Sequence, residues 1–348
     1  MVQAGRCPFV TRGMAAASFV GRRDEVKLIV RQMESDSPTS INVVGDRQMG
    51  KSSLLAHVAS SYESLVSRGD RIVAVYLSLQ AASCRDQASF YQTLARELLK
   101  LPKVAGRSDL ADVLRVSPFD GMAFEAAIGV WKAAGMLLVV CLDDFKELLN
   151  RRDRFDDGFY DNLRSLIGSH ALMFVIASEE ELNVYTKKKQ LTSDFFNVFL
   201  STKLKNFSEG DANDLVRLPI GNPALNEERQ KLALKWGEGK PCLLQIAGLY
   251  LWEARSQDHD VKWAKAKFDQ EAKHIQRDRH PVKTMVRGVS RVGGLAQRIG
   301  DTIDDRGNFL KGAFIIISIV LAVTGVVKWD VIQNSVRGTQ QDTNSNFK

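Results

Sequence analysis

The sequence predicts an α/β protein: a parallel β-sheet covered by helices, followed by a small helical or winged-helix domain and a C-terminal apolar helix. Three observations carry this prediction. Apolar, strand-like runs alternate with segments of helical spacing along most of the chain. A glycine-containing turn that ends in lysine and serine joins the first such run to a helix. The composition then becomes helical, and an uncharged apolar run lies near the C-terminal end.

The elements follow in order along the chain. A helix is expected to begin near Arg22, and a polar turn at Pro38 precedes the first strand. Strands are expected at 41–45, 71–79, 136–144 and 171–178, with a weaker strand at 201–207, and helices at 87–100 and 121–135. Because the strands are almost continuously apolar, both faces of the sheet are expected to lie beneath helices.

Domain boundaries are placed where the composition changes. The predicted segments are a flexible leader at 1–17, a core at 18–221, a helical or winged-helix lid at 222–278, a basic amphipathic segment at 279–309, a transmembrane helix at 310–329 and a polar tail at 330–348.

Size and charge set the broad class. The chain has 348 residues, 45% of them hydrophobic, which is enough for one large or two ordinary domains with a core. A formal net charge of +7 favours an anionic partner, either nucleic acid, acidic lipid or a phosphorylated ligand. The four cysteines are far apart and the five histidines are scattered, so no zinc site, disulfide framework or histidine-based catalytic cluster is expected.

The turn after the first strand fits a phosphate-binding motif. Gly45, Gly50, Lys51 and Ser52 match G-x-x-x-x-G-K-[ST] between an apolar strand and a helix. The glycines let backbone N–H groups point at phosphate oxygens, Lys51 would neutralise the β- and γ-phosphates, and Ser52 would hold Mg²⁺. The residues predicted to contact the nucleotide in this loop are Gly45, Asp46, Arg47, Gln48, Met49, Gly50, Lys51, Ser52 and Ser53.

A second element of the same site is expected at the ends of two later strands. The apolar run at 137–144 ends in Asp143, predicted as a metal ligand, and Asp144, predicted to polarise a water molecule. An apolar run ending in acids is otherwise often a buried strand that meets solvent. Ser178 ends the next strand and is predicted to sense the γ-phosphate, although serine there is commonly a turn former.

From residue 18 to about 275, the order of these motifs resembles the AAA-related signal-transducing ATPases of the STAND class and their archaeal-type relatives. The segments that carry the resemblance are FVGRRDEV, the phosphate loop, LLVVCLDDF, FYDNLRSLI, FVIASEEEL and GKPCLLQIAGLYL. The resemblance implies a P-loop ATPase that binds ATP with Mg²⁺. It also implies that Val20, Gly21 and Arg22 contact adenine and ribose, and that Pro241 packs on adenine.

The resemblance also bears on turnover and assembly. Many AAA enzymes have glutamate where this chain has Asp144, and the shorter aspartate implies slow hydrolysis, which suits a homo-oligomeric switch in defence or stress signalling. Arg151, Arg152 and Arg164 are candidate arginine fingers, and none is assigned. Without the resemblance, Gly239–Pro241 is simply a turn that starts a helix.

The C-terminal part of the chain predicts a membrane anchor. Apolar residues recur at intervals of three and four between Val282 and Ile299, with Lys283, Arg287 and Arg291 on other faces. This basic amphipathic helix would lie on anionic lipid headgroups, and the adjoining span would make a single-pass protein with its ATPase on the cytoplasmic side. A buried core helix, and a helix packed on the ATPase, are the alternatives.

Two other functions remain open at this point. An AAA-type ATPase acting on DNA would account for the basic charge and would show salt-sensitive DNA binding. A nucleotide-stabilised scaffold would bind ATP with little turnover. The protein partner is not predicted.

Overall fold

The computed structural model describes residues 7–11, 13, 19–80, 84–189 and 192–279. The strands are β1 (Ile41–Val44), β2 (Ile72–Ser78), β3 (Leu137–Asp143), β4 (Leu172–Ser178) and β5 (Leu200–Lys203). The helices up to β4 are α1 (Arg23–Met33), α2 (Lys51–Leu65), α3 (Gln87–Leu99), α4 (Pro102–Ala105), α5 (Ser108–Ala111), α6 (Gly121–Ala133), α7 (Lys146–Leu149) and α8 (Asp157–Ile167). The later helices are α9 (Leu182–Lys189), α10 (Glu209–Val216), α11 (Glu227–Gly237), α12 (Pro241–Ser256) and α13 (Val261–Arg279).

All five strands form one parallel sheet with the order β2-β3-β4-β1-β5. The predicted α/β fold with a parallel sheet is therefore confirmed. Val44 pairs with Ser178, and Ser78 pairs with Asp143, so the carboxyl ends of the strands meet along one edge. Strand β4 lies between β1, which leads into the phosphate loop, and β3, which ends in Asp143.

The sheet has a hydrophobic core on each face. Every residue of β1, β3 and β4 is buried, as expected for parallel strands covered on both sides. One core contains the aromatic cluster around Phe90, Phe159 and Phe195, and the other packs α1 and α2 against the opposite face. Side chains alternate between the two faces along each strand, so β2, β3 and β4 each contribute to both cores.

A third core lies among helices α10 to α13. Ser208 and Asn226 cap α10 and α11 through their side chains, and Pro241 occupies the first turn of α12. Between β5 and residue 279 the described chain forms helices and connecting turns, which fits the helical form of the predicted lid and not the winged-helix form.

Part of the segment expected to be a flexible leader packs against this helical region. Phe9 is buried, and the Val10 N–H donates to Gln245 Oε1 at 2.9 Å. A Cβ added at Gly248 would lie 2.4 Å from Phe9 Cδ1, so the ring of Phe9 sits directly on the backbone of α12. Residues 7–11 are thus held by α12.

In the part of the chain that the structure describes, we find no helix with the length and apolarity needed to cross a bilayer. The predicted transmembrane helix at 310–329 and the polar tail lie outside the described residues, as does the basic segment beyond residue 279.

Candidate functional site

The phosphate loop joins β1 to α2. Gln48 and Gly50 have φ values of 64° and 88°, in the left-handed region, and Gly50 directly precedes the first residue of α2. Glycine adopts this conformation without the steric cost of a side chain, which lets the loop curl just before the helix begins. The loop therefore ends at a helix N-terminus, where backbone N–H groups and the helix dipole favour an anion.

Lys51 is folded over this loop. Its Nζ donates to Gly45 O at 2.7 Å and to Asp46 O at 2.9 Å. Burial lowers the pKa of the Lys51 ammonium, while the nearby carboxylates of Glu179 and Asp143 oppose that shift. The ammonium is thus partly desolvated, and among the described residues its hydrogen bonds go to carbonyl oxygens of the loop, which leaves a charge well suited to anionic phosphate oxygens.

Asp143 is buried at the end of β3, and both of its carboxylate oxygens are held. Tyr76 of β2 donates its hydroxyl to Asp143 Oδ2 at 2.8 Å, and the Asp144 N–H donates to Oδ1 at 3.0 Å. Burial and the negative charge of Asp143 raise the pKa of Tyr76, so its phenol remains a hydrogen-bond donor. Tyr76 therefore orients the carboxylate predicted to bind metal, a role that the sequence pattern did not reveal.

Asp144, the next residue, differs from Asp143 in its backbone conformation and its electrostatic surroundings. Its φ is 56°, an uncommon left-handed value for a residue with a side chain. Burial, then the charge of Asp143, raise the pKa of the Asp144 carboxyl above its usual value, while Lys51 and a hydrogen bond from Gln80 act in the opposite direction. A carboxylate with a raised pKa is a better proton acceptor, which fits the predicted role toward water.

Ser178 lies where the sequence predicted, at the end of the strand between the two motifs. Its hydroxyl is engaged, however. It donates to Glu180 O at 2.6 Å and accepts from Asn42 Nδ2 at 2.7 Å. A contact to the γ-phosphate would require this proton to leave Glu180, so the sensing role of Ser178 stays a prediction.

An ion pair missed by the sequence reading joins the phosphate loop to β4. Arg47 Nε donates to Glu179 Oε1 at 2.9 Å, and this hydrogen bond lowers the pKa of Glu179. Sequence spacing gave no signal for it because the two residues lie on adjacent strand ends and are far apart along the chain.

The candidate arginine fingers have partners within the chain. Arg151 donates to Cys84 O and pairs with Glu147, and Arg164 pairs with Asp194. None of these contacts reaches the phosphate loop, so the arginine finger stays unassigned.

A cavity of about 470 Å³ opens beside the phosphate loop. The loop and the start of α2 contribute one wall, formed by Gln48, Gly50, Lys51, Ser52 and Ser53. The other lining residues include Val10, Val20, Arg22, Phe207, Pro241 and Gln245. The cavity therefore brings the predicted phosphate contacts together with three of the four residues that the resemblance offers for the base and ribose.

Arg22 is a charged residue of the cavity lining. It is 4% exposed, its Nη1 donates to Lys205 O at 2.7 Å, and its Nη2 donates to Met49 O at 2.9 Å. The guanidinium also stacks over the Phe207 ring at 4.9 Å. Burial lowers the pKa of Arg22. Its Nε is buried without a hydrogen-bond partner among the described residues, so the site retains an unsatisfied donor.

Val20 and Pro241 lie in the cavity wall, and Pro241 occupies the first turn of α12 as expected for a helix start. Gly21 instead shapes the approach to Arg22. Its φ is 76°, and an added Cβ would lie 3.0 Å from the Asp211 side chain. Gly21 is needed for the turn and its close packing, and within the described chain it is not part of the cavity wall.

Comparison with solved structures supports this fold. The Walker-type ATPase PABY2304 of Pyrococcus abyssi is similar with a TM-score of 0.53 at 15% identity, over 78% of this chain and 77% of that one. The Orc1 protein of Aeropyrum pernix, solved in complex with DNA, is similar with a TM-score of 0.50 at 13% identity, over 78% of this chain and 70% of that one. At these identities the likeness concerns the fold alone.

Comparison of sequences identifies the family of the protein, which the likeness of fold does not. No curated protein sequence matches the chain. A family model described as Novel STAND NTPase 2 matches residues 35–248, a range that contains the phosphate loop, Asp143, Asp144 and Pro241. Because this match spans more than half of the chain, the protein belongs to the Novel STAND NTPase 2 family, and it is a P-loop NTPase.

Proposed function

We propose that the protein is a membrane-anchored ATPase switch that binds ATP with Mg²⁺ and hydrolyses it slowly. The single observation that supports the nucleotide part is the cavity beside the phosphate loop, whose lining includes both Lys51 and Arg22 together with Pro241 of α12. The cavity has an anion-binding end at the start of α2 and an apolar end at Val20, Phe207 and Pro241. A nucleoside triphosphate has the same polarity along its length.

Each residue of the site has a chemical role in this proposal. Loop N–H groups and Lys51 hold the phosphate oxygens and stabilise the charge that develops on them during hydrolysis. The oxygens of Ser52 and Asp143 are hard ligands of the kind that Mg²⁺ prefers, and Mg²⁺ would supply further neutralisation of phosphate charge. Asp144 accepts a hydrogen bond from the attacking water and orients it.

We propose slow turnover because the residue expected to orient the attacking water is an aspartate, Asp144. Aspartate is one methylene shorter than glutamate, and the φ of 56° fixes its backbone in a constrained conformation. A water held by a shorter side chain is less well aligned for attack, so the ATP-bound state would persist. A persistent bound state suits a switch whose output depends on assembly into a homo-oligomer.

Anchoring, the cytoplasmic orientation of the ATPase and signalling in defence or stress belong to the same proposal and rest on the sequence beyond residue 279. The basic segment and the apolar run favour contact with anionic lipid over DNA, since a long uncharged run has no role in binding phosphodiesters.

The proposal is tested with the full-length protein by measuring Mg·ATP binding and phosphate release. Lys51→Ala should weaken ATP binding by at least tenfold, because the ammonium is the principal cation at the phosphate end. Lys132→Ala, which removes an exposed lysine of α6, is the matched control and should bind ATP as the unmodified protein does.

Two results would contradict parts of the proposal. Unchanged ATP affinity in Lys51→Ala would show that the cavity is not the nucleotide site. ATP binding without phosphate release above background, unaltered by Asp144→Asn, would favour the nucleotide-stabilised scaffold.

A further inference from the structure

Gln245 is a polar side chain in the wall of the nucleotide cavity that no motif explains. It lies on the second turn of α12, is 8% exposed, and borders the cavity beside Pro241. Burial of a primary amide is unfavourable unless its donors and acceptor find partners. Its surroundings within α12 are otherwise apolar, with Leu243, Leu244 and Ile246 as neighbours.

The orientation of the Gln245 amide is fixed by its one hydrogen bond in the described chain. The Val10 N–H donates to Gln245 Oε1 at 2.9 Å. A backbone N–H can only donate, so the atom facing it must be the oxygen, and the opposite end of the amide must be the NH₂ group. Within the described residues the NH₂ group has no partner, so Gln245 offers the cavity hydrogen-bond donors, while its oxygen is engaged by Val10.

A second donor on the same wall is also unpaired. Arg22 Nε is buried and lacks a partner, and Arg22 borders the same cavity. Neither residue can satisfy the other, because both groups are donors. A ligand that fits here must therefore bring acceptor atoms, which purine ring nitrogens and ribose oxygens provide.

We propose that Gln245 recognises the nucleobase of bound ATP by donating a hydrogen bond from its amide NH₂ to an acceptor nitrogen of adenine. This inference rests on the proposed ATP site. The amide oxygen of the same residue holds residues 9–11 against α12, which makes the N-terminal segment a wall of the base pocket. Gln245 thus takes part both in the proposed base recognition and in holding that segment, which the Phe9 contact at Gly248 also holds.

The assignment of the base to this end of the cavity follows from charge and apolarity. Lys51 and the helix N-terminus mark the phosphate end, and the apolar side chains of Val20, Phe207 and Pro241 line the same cavity as Gln245. Pro241 and Phe207 offer flat surfaces to a purine ring, while the Gln245 amide can reach its edge. A donor among apolar contacts is the usual means of fixing a base in one orientation.

The experiment compares analogues of ATP that each lack one ring acceptor. Dissociation constants are measured for ATP and its 1-deaza, 3-deaza and 7-deaza analogues with full-length protein, by calorimetry in the presence of Mg²⁺. The proteins are the unmodified chain, Gln245→Ala and Gln245→Glu, with Gln257→Ala as the control because Gln257 is an exposed glutamine at the end of the same helix. Gln245→Glu keeps an acceptor for Val10 N–H and loses the NH₂ donor.

We expect one deaza analogue to bind the unmodified protein about 5- to 10-fold more weakly than ATP, the usual effect of one lost neutral hydrogen bond. Gln245→Ala and Gln245→Glu should bind ATP more weakly by a similar factor and should no longer distinguish that analogue from ATP. Gln257→Ala should behave as the unmodified protein. If Gln245→Ala unfolds, Gln245→Glu decides the question alone.

The inference is overturned if both Gln245 variants keep the analogue preference of the unmodified protein, or if all three analogues bind that protein as ATP does. Failure of the ATP site itself gives a different pattern. In that case the unmodified protein would not bind ATP, or Lys51→Ala would bind ATP as tightly as the unmodified protein.

Discussion

The hydroxyl of Tyr76 holds one oxygen of Asp143 at 2.8 Å, and the carboxylate is buried beside it. Removing the hydroxyl by Tyr76→Phe leaves the ring in place and frees the carboxylate to rotate. Groups that orient a metal ligand commonly contribute 10- to 100-fold to metal affinity. We expect Tyr76→Phe to raise the Mg²⁺ concentration needed for half-maximal phosphate release by about tenfold, measured by a Mg²⁺ titration at saturating ATP.

Tyr91→Phe is the matched control for this change. The Tyr91 hydroxyl donates to Asn162 at 3.4 Å, and nothing places it near Asp143. Its Mg²⁺ requirement should stay that of the unmodified protein. An unchanged Mg²⁺ requirement in Tyr76→Phe would show that Tyr76 is only a packing residue.

The raised pKa of Asp144 predicts a pH dependence of turnover. In the proposed mechanism the charged form of Asp144 orients water. Phosphate release should then fall as the pH drops through its folded-state pKa, which lies above that of an ordinary aspartate because of burial and Asp143. Asp144→Asn should reduce turnover by about 100-fold or more and remove this acidic limb. The measurement is a pH profile of phosphate release under single-turnover conditions.

The same shift has a consequence for stability. A carboxyl whose pKa is raised by folding binds more protons in the folded state than in the unfolded state. Stability is therefore lost as the pH rises from the unfolded-state pKa through the folded-state pKa, and the cost is complete above both. The change in unfolding temperature caused by Asp144→Asn should therefore be more favourable at pH 7 than at low pH. An effect of Asp144→Asn on the unfolding temperature that is no more favourable at pH 7 than at low pH would contradict the assigned shift.

The sequence correctly predicted the helices and strands that have a local pattern of apolar residues. The strand expected at 136–144 is observed at Leu137–Asp143, and the one at 171–178 at Leu172–Ser178, because buried parallel strands require continuous apolar runs. The helix expected from 87–100 is observed at Gln87–Leu99, where Asp86 and Ser89 form a capping box. The four-residue helices α4, α5 and α7 were not predicted because a single turn shows no periodicity.

The contacts that the sequence did not predict depend on register between strands. Tyr76 pairs with Cys141 across β2 and β3, and this register alone brings its hydroxyl to Asp143. The bond from Asn42 to Ser178 depends likewise on the pairing of β1 with β4. A motif gives the identity of Asp143 and Ser178 but not the neighbours that orient them.

Helix α12 contacts the N-terminal segment at Gly248. The substitution Gly248→Ala, which adds one methyl group, tests this contact. A Cβ at Gly248 would lie 2.4 Å from Phe9 Cδ1, so Gly248→Ala must displace the Phe9 ring. Alanine is otherwise the better helix former, by about 1 kcal/mol. We expect Gly248→Ala to release residues 7–11, seen as faster amide hydrogen exchange there, and to weaken ATP binding several-fold by loosening the cavity wall.

Gly129→Ala in α6 is the matched control, because a Cβ there has no neighbour within 4 Å. It should leave both exchange and ATP affinity unchanged. If Gly248→Ala kept residues 7–11 protected, the Phe9 contact would not be what holds the segment.

At the scale of the whole molecule, Arg22 links parts of the chain that would respond to nucleotide. Its guanidinium bonds the carbonyl of Met49 in the phosphate loop and that of Lys205 after β5, and it stacks on Phe207 before α10. A nucleotide in the adjoining cavity would contact the phosphate loop and α12 together, so it would stabilise their present arrangement. A ligand at 100 times its dissociation constant stabilises the folded state by about 2.7 kcal/mol.

The proposed C-terminal anchor should bind the protein to the surface of a lipid bilayer. Full-length protein should sediment with vesicles containing anionic lipid, because each lysine or arginine near such a surface contributes about 1 kcal/mol. Replacing Lys283, Arg287, Arg291 and Arg298 with glutamine in the full chain should weaken binding to anionic vesicles and make it less sensitive to salt. Phosphate release in solution should stay unchanged, since these residues follow the P-loop unit.

Replacing Lys262, Lys265, Lys267 and Lys273 of α13 removes the same number of charges and is the control. Full-length protein that stays in the supernatant with every vesicle composition would exclude the anchor, and retention on DNA that falls steeply with salt would favour the alternative of an ATPase acting on nucleic acid.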